Sequence, residues 1–293
     1  MDSSHLLQLV LSGLVTGSIY ALVALGFTVI FKSTDAINFA QGEWVMCGGM
    51  IAAFLYQRFG LAPILLVPLA TGIVALLGMV SERLAIYPLR TPSPMLLTLI
   101  TIAVAITTRA GAMLTLGKSP AGLPSFSGNE NIEIAGASLQ PQALWVFGIT
   151  VAVMIGTHAF FQRSLLGRAM KAAAADREAA ALVGISVGRM AMWSFTIAAA
   201  IGAIAGIIIT PLTLTSFNAG LMLGFKGFSA AMLGGLGNLY GALVGGLLLG
   251  LAESLSAGLI SSQFKDAVAF VILLIVLFLR PAGLLGRSVR ERA

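Results

Sequence analysis

The stretch QRSLLGRAMKAAAADREAAALVGISVGR, residues 162–189, decides how the rest of the chain is read. It interrupts an almost unbroken series of apolar segments with one long, basic, alanine-rich run. Arg163, Arg168, Lys171, Arg177 and Arg189 stand there against only Asp176 and Glu178, and the alanines favour helix strongly. Asp176 is a suitable cap for a second short helix, with Glu178 in its first turn near the positive end of the dipole. Gly184 is suited to ending that helix. A short polar helix between membrane spans, on their positively charged side, is a natural docking surface for a partner. A simple solvated loop would need neither so many alanines nor such clear start and stop signals.

Composition supports the membrane setting. The chain is 58% hydrophobic and 10% charged, with a mean hydropathy of +0.99. A soluble domain carries about one quarter charged residues, so this is an integral membrane protein. At roughly 20 apolar residues per helical span, 293 residues leave room for eight or nine helices. Apolar runs predict helices near 6–31, 38–56, 62–81, 95–116, 143–161, 190–213, 239–260 and 265–280, with a shorter one near 222–235. The fold class is therefore an all-α membrane bundle of about eight spans, plus a short re-entrant or spanning helix and a helical loop at 163–189. It forms one domain. The N-terminus, MDSSHLLQ, lacks the basic region of a signal peptide, which predicts an uncleaved first span.

The net charge of +6 would suggest nucleic acid in a soluble protein, but here the basic residues set orientation instead. Lys32, Arg83, Arg90, the five residues above, Arg280, Arg287, Arg290 and Arg292 fall on one side, twelve of the 17 basic residues. Arg58, Lys118, Lys226 and Lys265 fall on the other, and Arg109 lies inside a span. That bias predicts an external N-terminus, a cytoplasmic C-terminus and a structured external loop at 117–142. It also requires 222–235 to dip into or cross the membrane. A faint echo between INFAQGEWVMCGG (37–49) and GFKGFSAAMLGG (224–235), running in opposite directions, would suit an inverted repeat.

Catalytic chemistry has little to work with. Hydrolases and transferases need convergent polar groups, and the chain offers His5, His158 and the single Cys47. His158, near the end of a span, reads as an interfacial or packed histidine. Cys47 alone supports neither a disulfide framework nor a cysteine metal site. Gly117-Lys118-Ser119 imitates the end of a phosphate-binding loop, but the glycine required five residues earlier is Ala112.

Glycines and intramembrane polar residues carry more information. Gly13/Gly17, Gly202/Gly206, Gly237/Gly241, Gly241/Gly245 and Gly246/Gly250 are small-xxx-small pairs that let helices approach closely in lipid. They suit packing within one subunit, packing across a subunit interface, or the lining of a substrate path. Polar residues inside spans are site candidates: Tyr20 in the first span, Asn38, Gly42 and Glu43 opening the second, Lys226 in the short helix and Glu253 in the outer half of its span. Snorkelling to the nearby interface accounts for Glu43 as well as function does. Glu253 needs a partner or a water-filled cavity. Lys226 lies at similar depth, leaving open a structural pair or a substrate-facing role.

Together these segments resemble the LivH-type permease of branched-chain amino-acid ABC importers. The resemblance rests on GSIYALVALGFTVIF (17–31), INFAQGEWVMCGG (37–49), ERLAIYPLR (82–90), GRAMKAAAADREAAALVGIS (167–186), GLMLGFKGFSAAMLGGLGNLYGALVGGLLLGLAE (220–253) and RPAGLLGR (280–287). It runs over nearly the full length. It implies that 167–186 couples to an ATPase, with Gly167, Arg168, Ala174, Asp176, Glu178, Ala180 and Gly184 as coupling residues. A path through Tyr20, Asn38, Gly42, Lys226 and Glu253 would carry substrate. The implied partners are a second, LivM-like permease subunit, two LivG- and LivF-like ATPase subunits and an external substrate-binding protein. Those ATPases would use ATP and Mg, while this chain binds no cofactor, metal or nucleic acid. The implied location is the bacterial cytoplasmic membrane. Related permeases serve urea, amides or other amino acids, so these remain alternatives to leucine, isoleucine and valine. An ion-coupled secondary transporter is the main rival, and a membrane enzyme the third.

Overall fold

A computed structural model describes residues 3–89, 93–128 and 130–286. Arg90, Arg287, Arg290 and Arg292, invoked for orientation, lie outside the described residues. The chain is helical almost throughout: α1 (Ser3–Thr34), α2 (Gln41–Phe59), α3 (Pro63–Ser81), α4 (Pro94–Thr115), α5 (Pro141–Arg163), α6 (Leu165–Ala175), α7 (Arg177–Leu182), α8 (Val187–Thr213), α9 (Ala219–Gly234), α10 (Leu239–Leu259) and α11 (Lys265–Leu279). Seven of these are long and apolar enough to cross a membrane. The 19-residue α2, expected as a further span at 38–56, is more polar in sequence and is not among those seven. Local signals set the starts. Proline occupies the first turn of α3, α4 and α5, where a missing N–H is harmless. The Asn238 side chain caps α10 by accepting from the N–H groups of Tyr240 and Gly241.

The bundle is built around α1, whose apolar window is 83% buried, whereas none of α11's is. Helices α1 and α10 pack antiparallel through glycine: a Cβ added to Gly17 would lie 2.8 Å from Leu247 Cα, and one on Gly250 would lie 2.3 Å from Gly17 N. Gly202 and Gly206 seat α8 against α2, and Gly241 and Gly245 seat α10 against α9. Four of the five expected glycine pairs therefore pack helices within this chain. Gly237 belongs instead to the turn before α10, where its φ of +81° favours glycine.

Helix α2 departs most from the sequence reading. It runs parallel to α8 and begins at Gln41, whose side-chain amide donates to the carbonyl of Ala198 at 3.0 Å. Ala198 lies eleven residues past the start of α8, about 16 Å along its axis at 1.5 Å per residue. Residues 35–40 climb from the end of α1 to that depth, so α2 starts inside the bundle rather than near its edge. Helix α9 runs the other way, antiparallel to α10. The first turns of α2 and α9 meet, with Gly42 against Gly220 and Gly224.

The two ends of the bundle differ in construction. At one end Arg177 donates to the Thr34 carbonyl at 2.6 Å, Arg83 stacks on Tyr87 and Gly188 packs by that ring. This end gathers Lys32, Arg83, Lys171 and Arg177. At the other end, a hairpin of β1 (Ile132–Ile134) and β2 (Ala137–Leu139) turns at Ala135 and Gly136, both with positive φ. That geometry matches the twist of a two-residue hairpin. Ser138 N–H donates to Gln8 Oε1 at 2.7 Å, and Ala121 pairs with Thr215, so the loop is structured and pinned across the bundle.

Candidate functional site

Below the hairpin end lies a cavity of about 910 Å³ between α1, α8, α9 and α10. Its mouth carries Gln8, Ser12, Asn131, Ser138 and Gln140; its walls are apolar, with Val15, Ile19, Met46, Ile209, Leu212 and Leu223. The loop at 117–142 thus builds part of the rim. Further in, the cavity meets Tyr20, Lys226 and Glu253.

These three side chains form one charged cluster. Lys226 Nζ lies 2.7 Å from Glu253 Oε1, and Tyr20 Oη donates to Glu253 Oε2 at 2.7 Å. Lys226 also reaches Asp266 Oδ1 at 2.7 Å, and Lys265 Nζ stands 3.9 Å from Glu253 Oε1. Two acids and two bases balance, which is how charges persist at membrane depth. Of the two readings left open for Lys226 and Glu253, the ion pair is seen in this conformation, and both residues also line the cavity. Lys265 and Asp266 were missed as site residues, because a charged pair opening an apolar helix reads as a simple helix start.

Asn38 and Gly42 do not join this cavity. Asn38 is buried at the foot of α2, where its Oδ1 accepts from Ala40 N–H. Gly42 is the contact point between α2 and α9, and a Cβ there would sit 2.1 Å from the Gly220 carbonyl oxygen. Both residues place helices in this conformation. Snorkelling also fails for Glu43, which is 1% exposed and ion-paired to Arg109 of α4. The physical reason is the deep start of α2, which no local signal announces.

The basic loop folds as its signals indicate. Ser164 accepts from Gly167 N–H at 2.9 Å to start α6, and Asp176 accepts from the N–H groups of Glu178 and Ala179 to start α7. Gly184 takes a φ of +86° as α7 ends, and Ile185 N–H donates to the Ala180 carbonyl. Ala180, however, is 4% exposed and packs inside its own chain. Gly167 is buried as well, because a Cβ would meet the Phe160 carbonyl at 2.4 Å. Neither can present a surface to a partner. Arg168 and Glu178 are exposed, Ala174 is half-buried, and the prominent apolar groups are Leu165, Leu182 and Val183, with Leu182 89% exposed.

A many-helix membrane bundle with a lined cavity and a capped helical loop at its basic end defines a permease-like subunit. The family model described as the permease component of branched-chain amino acid transport systems matches residues 9–277. The chain belongs to that family. It is 34% identical over 301 residues to the high-affinity branched-chain amino acid transport system permease protein BraD of Pseudomonas aeruginosa, covering 98% of each chain. It is 34% identical over 304 residues to LivH of Escherichia coli K12, again over 98% of each. A probable LivH of Methanocaldococcus jannaschii matches at 25% over 296 residues, covering 95% of this chain and 92% of that one.

Proposed function

We propose that this chain is the translocating subunit of an ABC importer for branched-chain amino acids in the bacterial cytoplasmic membrane. The observation that carries the reading is one cavity lined by polar residues of the hairpin end, by apolar side chains and by the Tyr20–Glu253–Lys226 cluster. A zwitterion with an aliphatic side chain needs those three features. Its carboxylate suits Lys226, its ammonium suits Glu253 and its side chain suits the walls.

In this reading the hairpin end faces outward and receives substrate from an external binding protein. The basic end faces the cytoplasm, consistent with retention of Lys and Arg there. A LivM-like second permease and two LivG- and LivF-like ATPase subunits complete the importer, and ATP and Mg act on those subunits. The loop from Gly167 to Gly184 transmits their motion. Asp176 and Gly184 shape it, Arg168, Ala174 and Glu178 flank its exposed surface, and Leu182 and Val183 form the apolar tip that enters an ATPase groove. Burial of Ala180 and Gly167 makes them supports of that tip.

Reconstitution of the whole importer with labelled leucine tests the reading. Uptake should require ATP and the binding protein, and Leu182→Glu should abolish uptake and ATPase recruitment while leaving the membrane subunits assembled. Uptake driven by an ion gradient without ATP would refute the importer assignment. Normal recruitment with Leu182→Glu would refute the docking tip alone.

A further inference from the structure

Four polar residues of α1, Gln8, Ser12, Thr16 and Tyr20, line the hairpin-end cavity. A spacing of four puts them on one helix face. At 1.5 Å per residue, that face runs about 18 Å from Gln8 to Tyr20. Taking this cavity as the substrate site, we propose that Thr16 selects ligands by their ammonium group. Its hydroxyl oxygen accepts one N–H while Glu253 balances the charge.

The bond that the Thr16 hydroxyl already makes decides what else it can bind. Its Oγ1 donates to the Ser12 carbonyl at 3.0 Å. A carbonyl only accepts, so the single hydroxyl proton is committed to the helix and Oγ1 can meet a ligand only as an acceptor. An ammonium, with N–H donors alone, suits that oxygen, whereas a carboxylate offers it nothing. The other polar groups of the stripe are similarly committed. Tyr20 gives its proton to Glu253, and both ends of the Gln8 amide bind the Ser138 backbone. Thr107 and Thr115 bond their own helix as Thr16 does, but neither lines the cavity.

The helix packing sets Thr16 at the depth of the acid. Gly17, its neighbour, packs on Gly250, where an added Cβ would lie 2.3 Å from Gly17 N. Glu253 stands three residues beyond Gly250, about 4.5 Å along the axis of α10. Thr16 and Glu253 therefore lie within about one helical turn of each other in depth. Lys226 reaches Glu253 from α9, while Thr16 borders the same cavity from α1. An amino acid held there turns its ammonium to α1 and its carboxylate to α9, so a ligand lacking the ammonium loses the α1 contact.

The assembled importer, without its binding protein, should carry Ser12→Cys as a reporter one turn from Thr16. The native Cys47 is buried, so the new thiol is the one that N-ethylmaleimide reaches. Leucine in the cavity should slow that labelling. Adding Thr16→Val, which keeps the shape and removes the hydroxyl, should raise the leucine needed for half-protection by about tenfold, as for one lost hydrogen bond to a charged group. Thr16→Ser keeps the hydroxyl and should bind leucine as the parent does. Isocaproate, which has leucine's carboxylate and side chain but no ammonium, should protect weakly and equally in the parent and in Thr16→Val. Leucine protection unchanged by Thr16→Val would overturn the selection role, as would equal losses in Thr16→Ser and Thr16→Val. A loss for isocaproate as large as that for leucine would also overturn it and leave Thr16 a packing residue. No protection by leucine even in the parent would refute the cavity as the substrate site, and the role of Thr16 with it.

Discussion

Glu43 and Glu253 are both carboxylates on helices that read as membrane spans, yet their surroundings differ. Glu253 has both oxygens engaged, by Lys226 and Tyr20, and borders a cavity open to the hairpin end. Glu43 pairs with Arg109 through one oxygen, while its other, Oε2, has no hydrogen-bond partner among the described residues and faces Gly220. The first acid can exchange its partners for a ligand. The second is wedged where two backbones meet. An intramembrane acid is therefore a site hypothesis that only its surroundings can decide.

The largest effect should come from the Glu43–Arg109 pair, in which the carboxylate is 2% exposed and the arginine 27%. Arg109→Leu leaves the Glu43 carboxylate buried and uncompensated, a loss of about 3 to 5 kcal/mol for a broken buried pair. Folded, monodisperse protein on size-exclusion chromatography should fall sharply. Adding Glu43→Gln to Arg109→Leu should restore both assembly and uptake, because this pair only holds α2 to α4. Restored assembly without restored uptake would move Glu43 onto the path and break the comparison.

The Lys226–Glu253 pair, buried but lining the cavity, should behave differently. Lys226→Met or Glu253→Gln alone should cost about 2 to 3 kcal/mol, the range for a lost hydrogen bond to a charged group. Joining the two substitutions should recover much of the assembly, as the coupling in a double-mutant cycle. Leucine uptake should nevertheless stay at least about tenfold low, because both groups face the cavity. Full recovery of uptake in the double variant would make this cluster a structural pin like the other.

Much of this architecture was legible because it is written locally. Apolar runs marked the spans, and Asp176 and Gly184 marked the ends of α7 by side-chain chemistry and backbone freedom. The Lys226–Glu253 pair could be named because two charges at equal depth in lipid need each other. What stayed hidden depends on tertiary position. Residues 35–40 carry nothing to show that they climb into the bundle, so Glu43 was read as lying near the interface. The alanines of the basic loop announce a helix, but which of them face inward follows from how α7 lies on α8. Leu182 and Val183 were passed over because apolar residues beside a polar helix resemble its buried side.

Within the cavity cluster, Tyr20→Phe removes only the hydroxyl that donates to Glu253 Oε2. The expected loss is about 1.5 kcal/mol, the low end for a hydrogen bond to a charge. Uptake should fall while assembly holds, since Lys226 still compensates the carboxylate. A change in assembly as large as that of Lys226→Met would mean that the phenol, and not the ammonium, anchors Glu253.

The smallest effect belongs to Asp266, which contacts the same ammonium from the start of α11. Its side chain is 39% exposed, against 8% for Glu253, so part of its carboxylate is open while the Oδ1 facing Lys226 is buried. Ion pairs of that kind contribute about 1 kcal/mol or less. Asp266→Asn should therefore leave thermal unfolding of the assembled importer within about 1 kcal/mol of the parent and reduce uptake no more than a few-fold. The same substitution in a Glu253→Gln background should be far more damaging, because Lys226 would then have no anion at all. Equal effects of Asp266→Asn in the two backgrounds would show that Lys226 draws its compensation from the cavity water. Glu253 and Asp266 would then be independent residues rather than two arms of one cluster.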